Sequence, residues 1–164
     1  MAATRTVVIG INDSNHSEYA FDFYVENIHR HGDHTVLVHV PEYTNIISTS
    51  SLLTDPNIIS EMLRDTEEQI YELVEKYSLK MKDKHLNGHI KQQSGKQGEA
   101  IIEGAIEENA TLLIIGTRGR GKVRRTFLGS VSDYCHHHAP CPVLICRHRN
   151  ANIKKTNDNT SCVR

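Results

Sequence analysis

The alternation of two hydrophobic periods along the chain constrains its fold more than any other feature. Thr6-Val7-Val8-Ile9-Gly10-Ile11 is a short, unbroken, β-branched run, the pattern of a strand buried on both faces. After Asn12-Asp13-Ser14, the residues Ala20, Phe21, Tyr24, Val25 and Ile28 fall at three- and four-residue spacing, which predicts a helix stopped by Gly32. The two patterns then repeat. Residues 35–40 predict a second strand ended by Pro41. From Asn57 a long helix sets Met62, Leu63, Thr66, Ile70, Leu73, Val74, Tyr77 and Met81 on one stripe. A third strand is expected over 89–93, then a helix over 98–109 that buries Ile101, Ile102, Ala105 and Ile106. A fourth strand over 112–115, a helix over 130–138 and a last strand over 143–146 complete the series. Alternating strands and helices specify an α/β fold. Right-handed crossovers make it a doubly wound, five-stranded parallel sheet with helices on both faces.

Length and charge narrow the class further. The 164 residues suit one domain, expected over 1–147, with a polar, aperiodic tail over 148–164 expected to be disordered. The 19 Lys and Arg nearly balance 20 Asp and Glu, which argues against a general polyanion binder. There is no Trp and no alternation of aromatic with basic residues, so single-stranded nucleic acid is not an expected partner. The apolar runs are far below the roughly 20 residues that span a bilayer, and no signal-peptide layout opens the chain. The expectation is a cytoplasmic protein without a membrane partner, its four cysteines reduced. The balance conceals segregation. Residues 116–125 carry five positive charges and no negative one, whereas 55–75 hold seven acidic residues against Arg64 alone.

Open α/β sheets place ligands beyond the carboxyl ends of their strands, where the strand order reverses. The loops after strands one, two and four are therefore the informative ones. After strand four runs Gly116-Thr-Arg-Gly119-Arg-Gly121-Lys-Val-Arg-Arg-Thr-Phe-Leu-Gly129-Ser130. Glycines allow close backbone approach, and a helix N-terminus following a strand attracts phosphate. Ser130, with Asp133 three residues on, reads as the cap of the next helix. A P-loop fails because Val123 stands where the magnesium-binding hydroxyl is needed, and the dinucleotide fingerprint fails at Arg124. Asp13 alone reads as a helix cap. His136-His137-His138 point about 100° apart on a helix and cannot share one metal. His29, His31 and His34 read as surface residues, and Tyr71 and Tyr77 as packing residues.

The pattern Gly116-x2-Gly119-x9-Gly129-Ser130 resembles the ATP-binding branch of the universal stress protein family. So do residues 7–13 and the ending Val131-Ser-Asp-Tyr-Cys-His-His-His-Ala-Pro-Cys-Pro-Val-Leu-Ile-Cys146. The resemblance implies strand order 3-2-1-4-5 and ATP lying across strands one and four. Ile11 and Asn12 would border the adenine, Val40 would pack near it, and Asp13 would hold the ribose or a Mg²⁺-linked water. Gly116, Thr117, Arg118 and Gly119 would wrap the sugar and first phosphates. Gly129, Ser130 and Val131 would offer N–H groups to the others. Asn12 departs from the small or hydroxylated residue common in the family. The resemblance further implies a homodimer paired through 143–146 and a regulatory role read by a protein partner. No general base is evident in the phosphate loop, so hydrolysis would be slow. Two alternatives stand beside this reading: a nucleotide-independent dimerising stress protein, and a nucleotidyl-transferring enzyme of related fold. The latter lacks its pyrophosphate loop after strand one.

Overall fold

A computed structural model describes residues 5–43, 55–117 and 128–147. Five strands form one parallel sheet: β1 (Thr6–Ile11), β2 (His34–His39), β3 (Gly88–Gln92), β4 (Leu112–Gly116) and β5 (Val143–Cys146). Their order is β3-β2-β1-β4-β5, so the doubly wound α/β architecture and the 3-2-1-4-5 order are as expected. Register runs Val8 to Val36 on one side of β1 and Val8 to Leu113 on the other.

Strand alternation divides the core into two layers. Val7, Ile9 and Ile11 of β1 with Leu37 and Ile114 face α1 (Asn15–Phe23) and α2 (Pro56–Asp83). Val8, Val36, Val38, Leu113 and Ile115 face α3 (Gln97–Glu107) and α4 (Ser130–His138). This is why the central strands read as continuous apolar runs: both faces are covered. Three cysteines, Cys135, Cys141 and Cys146, are free thiols. Burial pushes Cys135 and Cys146 up to about 11, so both remain protonated packing groups near neutral pH.

Several expectations shift. The first helix does not run to Gly32. It widens into a π-helical turn over Tyr24–Ile28, closed by the His29 N–H on the Tyr24 carbonyl at 2.8 Å. Tyr24 is thereby fully buried, and its hydroxyl meets Thr35 Oγ1 at 2.8 Å. In α3, Ile106 is 56% exposed, because it lies about 100° round the helix from Ala105 and clears the packed seam.

The largest departure concerns α2. Asp55 caps it by accepting the Asn57 N–H at 2.9 Å, and Pro56 occupies the first turn. Only Leu73, Tyr77 and Met81 of its stripe reach the core. Leu63 is exposed, and so is Tyr71, which the sequence suggested as a packing residue. At 28 residues the helix is about 42 Å long, against about 20 Å for a six-residue strand. Its amino-terminal half therefore projects past the sheet.

Candidate functional site

The carboxyl ends of β1 and β4 diverge at the reversal of strand order, as two chain segments leave the sheet in opposite directions. Beside that point a cavity of about 430 Å³ opens between the carboxyl ends of β1 and β2 and the helix α2, inside the range of about 300–1,000 Å³ common for small-molecule sites. Asn12, Asp13 and Val40 form its floor, and Met62, Thr66 and Ile70 of α2 form a wall. A smaller recess of about 60 Å³ shares Asn12, Val40 and Gln97 with it and adds Ile11, Gly116 and Val131. The projecting half of α2 thus spends its apolar stripe on the cavity wall instead of the core.

The β1–α1 corner is set by local hydrogen bonds. Ser14 caps α1 by accepting the Ser17 N–H at 3.2 Å, and its own hydroxyl donates to Asn12 Oδ1 at 2.6 Å. Asp13 is therefore not the cap of this helix. Ser17 Oγ accepts the Asn12 N–H at 2.9 Å and lies 3.1 Å from the Tyr77 hydroxyl. A buried tyrosine of α2 is in this way tied to the turn that presents Asn12 and Asp13. Burial pushes Tyr77 up to about 12, so its hydroxyl keeps its proton.

The β4 side is built around Gly116 and Thr117. A Cβ at Gly116 would lie 2.6 Å from the His16 carbonyl oxygen, so only glycine lets β4 end against the first turn of α1. Thr117 is buried; its N–H donates to Cys146 O at 2.9 Å, and its carbonyl accepts the Gly129 N–H at 3.1 Å. The Gly129 N–H is thus engaged within the protein. Ser130 is not the cap expected from the sequence. Gly129, in extended conformation, holds that position, and Ser130 is the exposed first residue of α4. No side chain caps α4; Ser132 donates to the Gly129 carbonyl at 2.9 Å, bracing the loop from behind. The first-turn N–H groups of α4, those of Ser130 and Val131 among them, have no carbonyl within their own helix to bond.

The structure thus places Asn12, Asp13 and Val40 on the larger cavity and Ile11, Asn12, Val40, Gly116 and Val131 on the recess beside it, while Thr117 is bonded to Gly129 next to Gly116 and Ser130 follows at the start of α4. Arg118, Gly119 and the basic run to Arg125 lie outside the described residues, as do most of the 41–57 connection and the tail from 148. Sequence reasoning missed Gln97 and Glu42, which bridge the cavity edge through an Nε2–Oε1 hydrogen bond. Neither sits in a motif, and only the fold places them together. It also missed the acidity of the described wall, to which Asp13, Glu42, Asp65 and Glu72 all contribute. The one cation there, Lys76, bonds Glu18 Oε2 at 2.8 Å.

Residues 3–147 match the family model described as universal stress protein family. The chain belongs to that family. Among its relatives, a Thermus aquaticus universal stress protein is 51% identical over 53 residues, 32% of this chain and 39% of that one. The match thus spans well under half of the Thermus protein's length. Universal stress protein YxiE of Bacillus subtilis is 25% identical over 145 residues, 86% of this chain and 97% of its own. A universal stress protein family structure from Arabidopsis thaliana with AMP bound superposes with a TM-score of 0.65 at 21% identity, covering 93% of this chain and 97% of that one. A universal stress protein in complex with cAMP gives 0.62 at 20% identity, covering 88% and 97%. At these identities the two structures establish the shared fold. Among the described residues, no helix of this family member is long and apolar enough to cross a membrane.

Proposed function

We propose that this universal stress protein is a regulatory nucleotide-binding module whose ligand is ATP, held in the cleft between β1 and β4. The observation that carries the reading is a pair of adjoining openings at the carboxyl end of the sheet: a ligand-sized cavity with Asn12, Asp13 and Val40, and a recess at the reversal of strand order with Ile11, Gly116 and Val131, the two sharing Asn12, Val40 and Gln97. Relatives of the same fold with AMP or cAMP bound support an adenine nucleotide. Val40, 6% exposed, offers an apolar surface to the base. Asp13 accepts from ribose hydroxyls or holds a cation. Ser130 and Val131 aim first-turn N–H groups of α4 at phosphate, while Gly129 and Thr117 fix the loop that carries them.

The wall of carboxylates bears on the cation. A polyphosphate beside Asp13, Glu42, Asp65 and Glu72 is repelled unless its charge is neutralised. All-oxygen donors suit Mg²⁺, which one or two carboxylates hold together with phosphate and water. The residues fit that ion, with Asp13 as its protein ligand; Mg²⁺ would screen the phosphates there. The basic run over 118–125 supplies the remaining positive charge. Hydrolysis is slow at most on this reading, because Thr117, Gly129 and Ser130 bring no general base to the phosphates. Pairing through Val143–Cys146 and recognition by a protein partner belong to the same proposal.

Calorimetric titration with ATP, MgATP, AMP and cAMP, with mass spectrometry of nucleotide retained through purification, tests it. The expected result is saturable binding with ATP preferred and strengthened by Mg²⁺. Absence of heat for every nucleotide at millimolar concentration would refute the reading, and preference for AMP or cAMP would refute its ATP assignment.

A further inference from the structure

At the opposite end of the sheet, three residues with metal-ligating side chains meet. His34 opens β2, His89 stands second in β3, and Glu108 caps the carboxyl end of α3. Their donor atoms lie within 4.8 Å of one another. From this geometry we infer that His34, His89 and Glu108 form a binding site for a divalent transition metal of the zinc type.

The register explains the meeting. Val36 pairs with His89 across β2 and β3, and His34 lies two residues before Val36. Side chains two apart on a strand share a face, so both imidazoles project to the α3 side, where their ring centroids are 5.5 Å apart. Glu108 arrives at that edge because its N–H is bonded to Gly104 O at 3.1 Å, after which Asn109 turns the chain with φ 50°. A Cβ at Gly88 would lie 1.7 Å from the Thr35 carbonyl oxygen, so glycine there allows β3 to approach β2 beside the cluster. Three regular elements each supply one donor, and no loop has to be ordered to assemble the set.

The distances suit the ion. In a tetrahedral zinc site with bonds of about 2.0–2.1 Å, donors are separated by roughly 3.4 Å. His89 Nε2 and Glu108 Oε1 are already 3.5 Å apart. His34 closes the rest by a side-chain rotation. Two imidazoles and one carboxylate are a donor set that zinc accepts, with a fourth position left to water. The hard ions Mg²⁺ and Ca²⁺ prefer oxygen throughout. Lys91 is the competitor: its Nζ lies 2.7 Å from Glu108 Oε1. It lies equally close to Glu107 Oε2, so it keeps a carboxylate when Glu108 turns to the metal. The ammonium therefore tunes affinity downward without blocking the site.

The position separates this site from the nucleotide cleft. Parallel strands put His34 and His89 at their amino ends and the cleft at their carboxyl ends, so the two proposals stand or fall independently. The test is zinc titration of the untagged full chain by calorimetry, with Co²⁺ absorption reporting the donor set. One saturable zinc per chain is expected, and His89→Ala and Glu108→Gln should each weaken it at least about 10-fold. Lys91→Met should tighten it several-fold. His89 is half-exposed, so its replacement leaves the fold intact even where the glutamate variant is less stable. A triple alanine variant of His136, His137 and His138 should keep the site. No saturable binding up to about 100 µM zinc, or an affinity as tight as the parent's in both His89→Ala and Glu108→Gln, would overturn the inference and leave a plain histidine–glutamate contact. Loss of binding only in the triple variant would overturn it as well.

Discussion

The two ends of the sheet close in opposite ways. At the amino ends, polar groups are matched inside the protein. Arg5 Nε bonds Asp33 Oδ1 at 2.8 Å, Arg5 also reaches the Ile28 carbonyl, and Asp33 accepts the Arg30 N–H and the Tyr24 hydroxyl. Thr111 Oγ1 donates to the Thr6 carbonyl at 2.8 Å. At the carboxyl ends the strands splay instead, and the polar groups of Asn12, Asp13, Glu42 and Gln97 line a cavity. One end is built as a seam and the other as a mouth. Substitutions in the Arg5–Asp33 seam should therefore register mainly as stability, and at the mouth mainly as affinity.

The largest effect is expected at the seam. The Asp33 side chain is only 2% exposed, and Asp33→Ala leaves Arg5 partly buried without its partner. A loss of about 3–5 kcal/mol is expected, measured by urea unfolding; a loss below about 1 kcal/mol would dissolve the distinction between the ends. The pH dependence follows from the same group. Burial alone would raise the Asp33 carboxyl, but the hydrogen bonds from Arg5 and the Arg30 N–H, the Arg5 charge and the Tyr24 hydroxyl together hold it below its ordinary value of 3.8. A carboxylate depressed in the folded state contributes fully above its unfolded value and loses that contribution as pH falls through the folded one. The stability gap between the parent and Asp33→Asn should accordingly narrow below pH 3.8 and remain constant at neutral pH.

At the mouth, Asp13→Ala should weaken MgATP about 10-fold, or about 1.4 kcal/mol. Its loss of stability should be smaller than its loss of affinity, since Ser14 caps α1. A drop in stability with unchanged affinity would reassign Asp13 to the scaffold. Tyr77→Phe tests the bond between core and mouth. Loss of its hydroxyl contact with Ser17 should cost about 1 kcal/mol, read by thermal unfolding. The smallest effect belongs to Lys76→Ala. Its pair with Glu18 is largely exposed and should contribute no more than about 0.5 kcal/mol, checked by a double-mutant cycle with Glu18→Ala.

The same contrast explains what could be read in advance. The five strands and the two covered faces follow from runs such as Val7 to Ile11 and Leu112 to Ile115, whose periods are local properties. The α2 stripe misled because Met62, Thr66 and Ile70 have the same spacing whether they face a core or a cavity. Ser130 looked like a cap because a cap and the residue after it differ only in backbone geometry. Gln97 with Glu42, and His34 with His89 and Glu108, come from separate elements. No window along the chain holds either set, and only the assembled fold brings them together.

The mismatch between α2 and the sheet gives the helix the proportions of a lever. Its fulcrum is Leu73, the first residue clamped in the core, and Pro56 lies about 25 Å from it along the axis. A tilt of about 5° at the fulcrum moves that tip by about 2 Å. Because Met62, Thr66 and Ile70 lie between the two and face the cavity, any displacement of the cavity wall would be larger at the tip than at the wall itself.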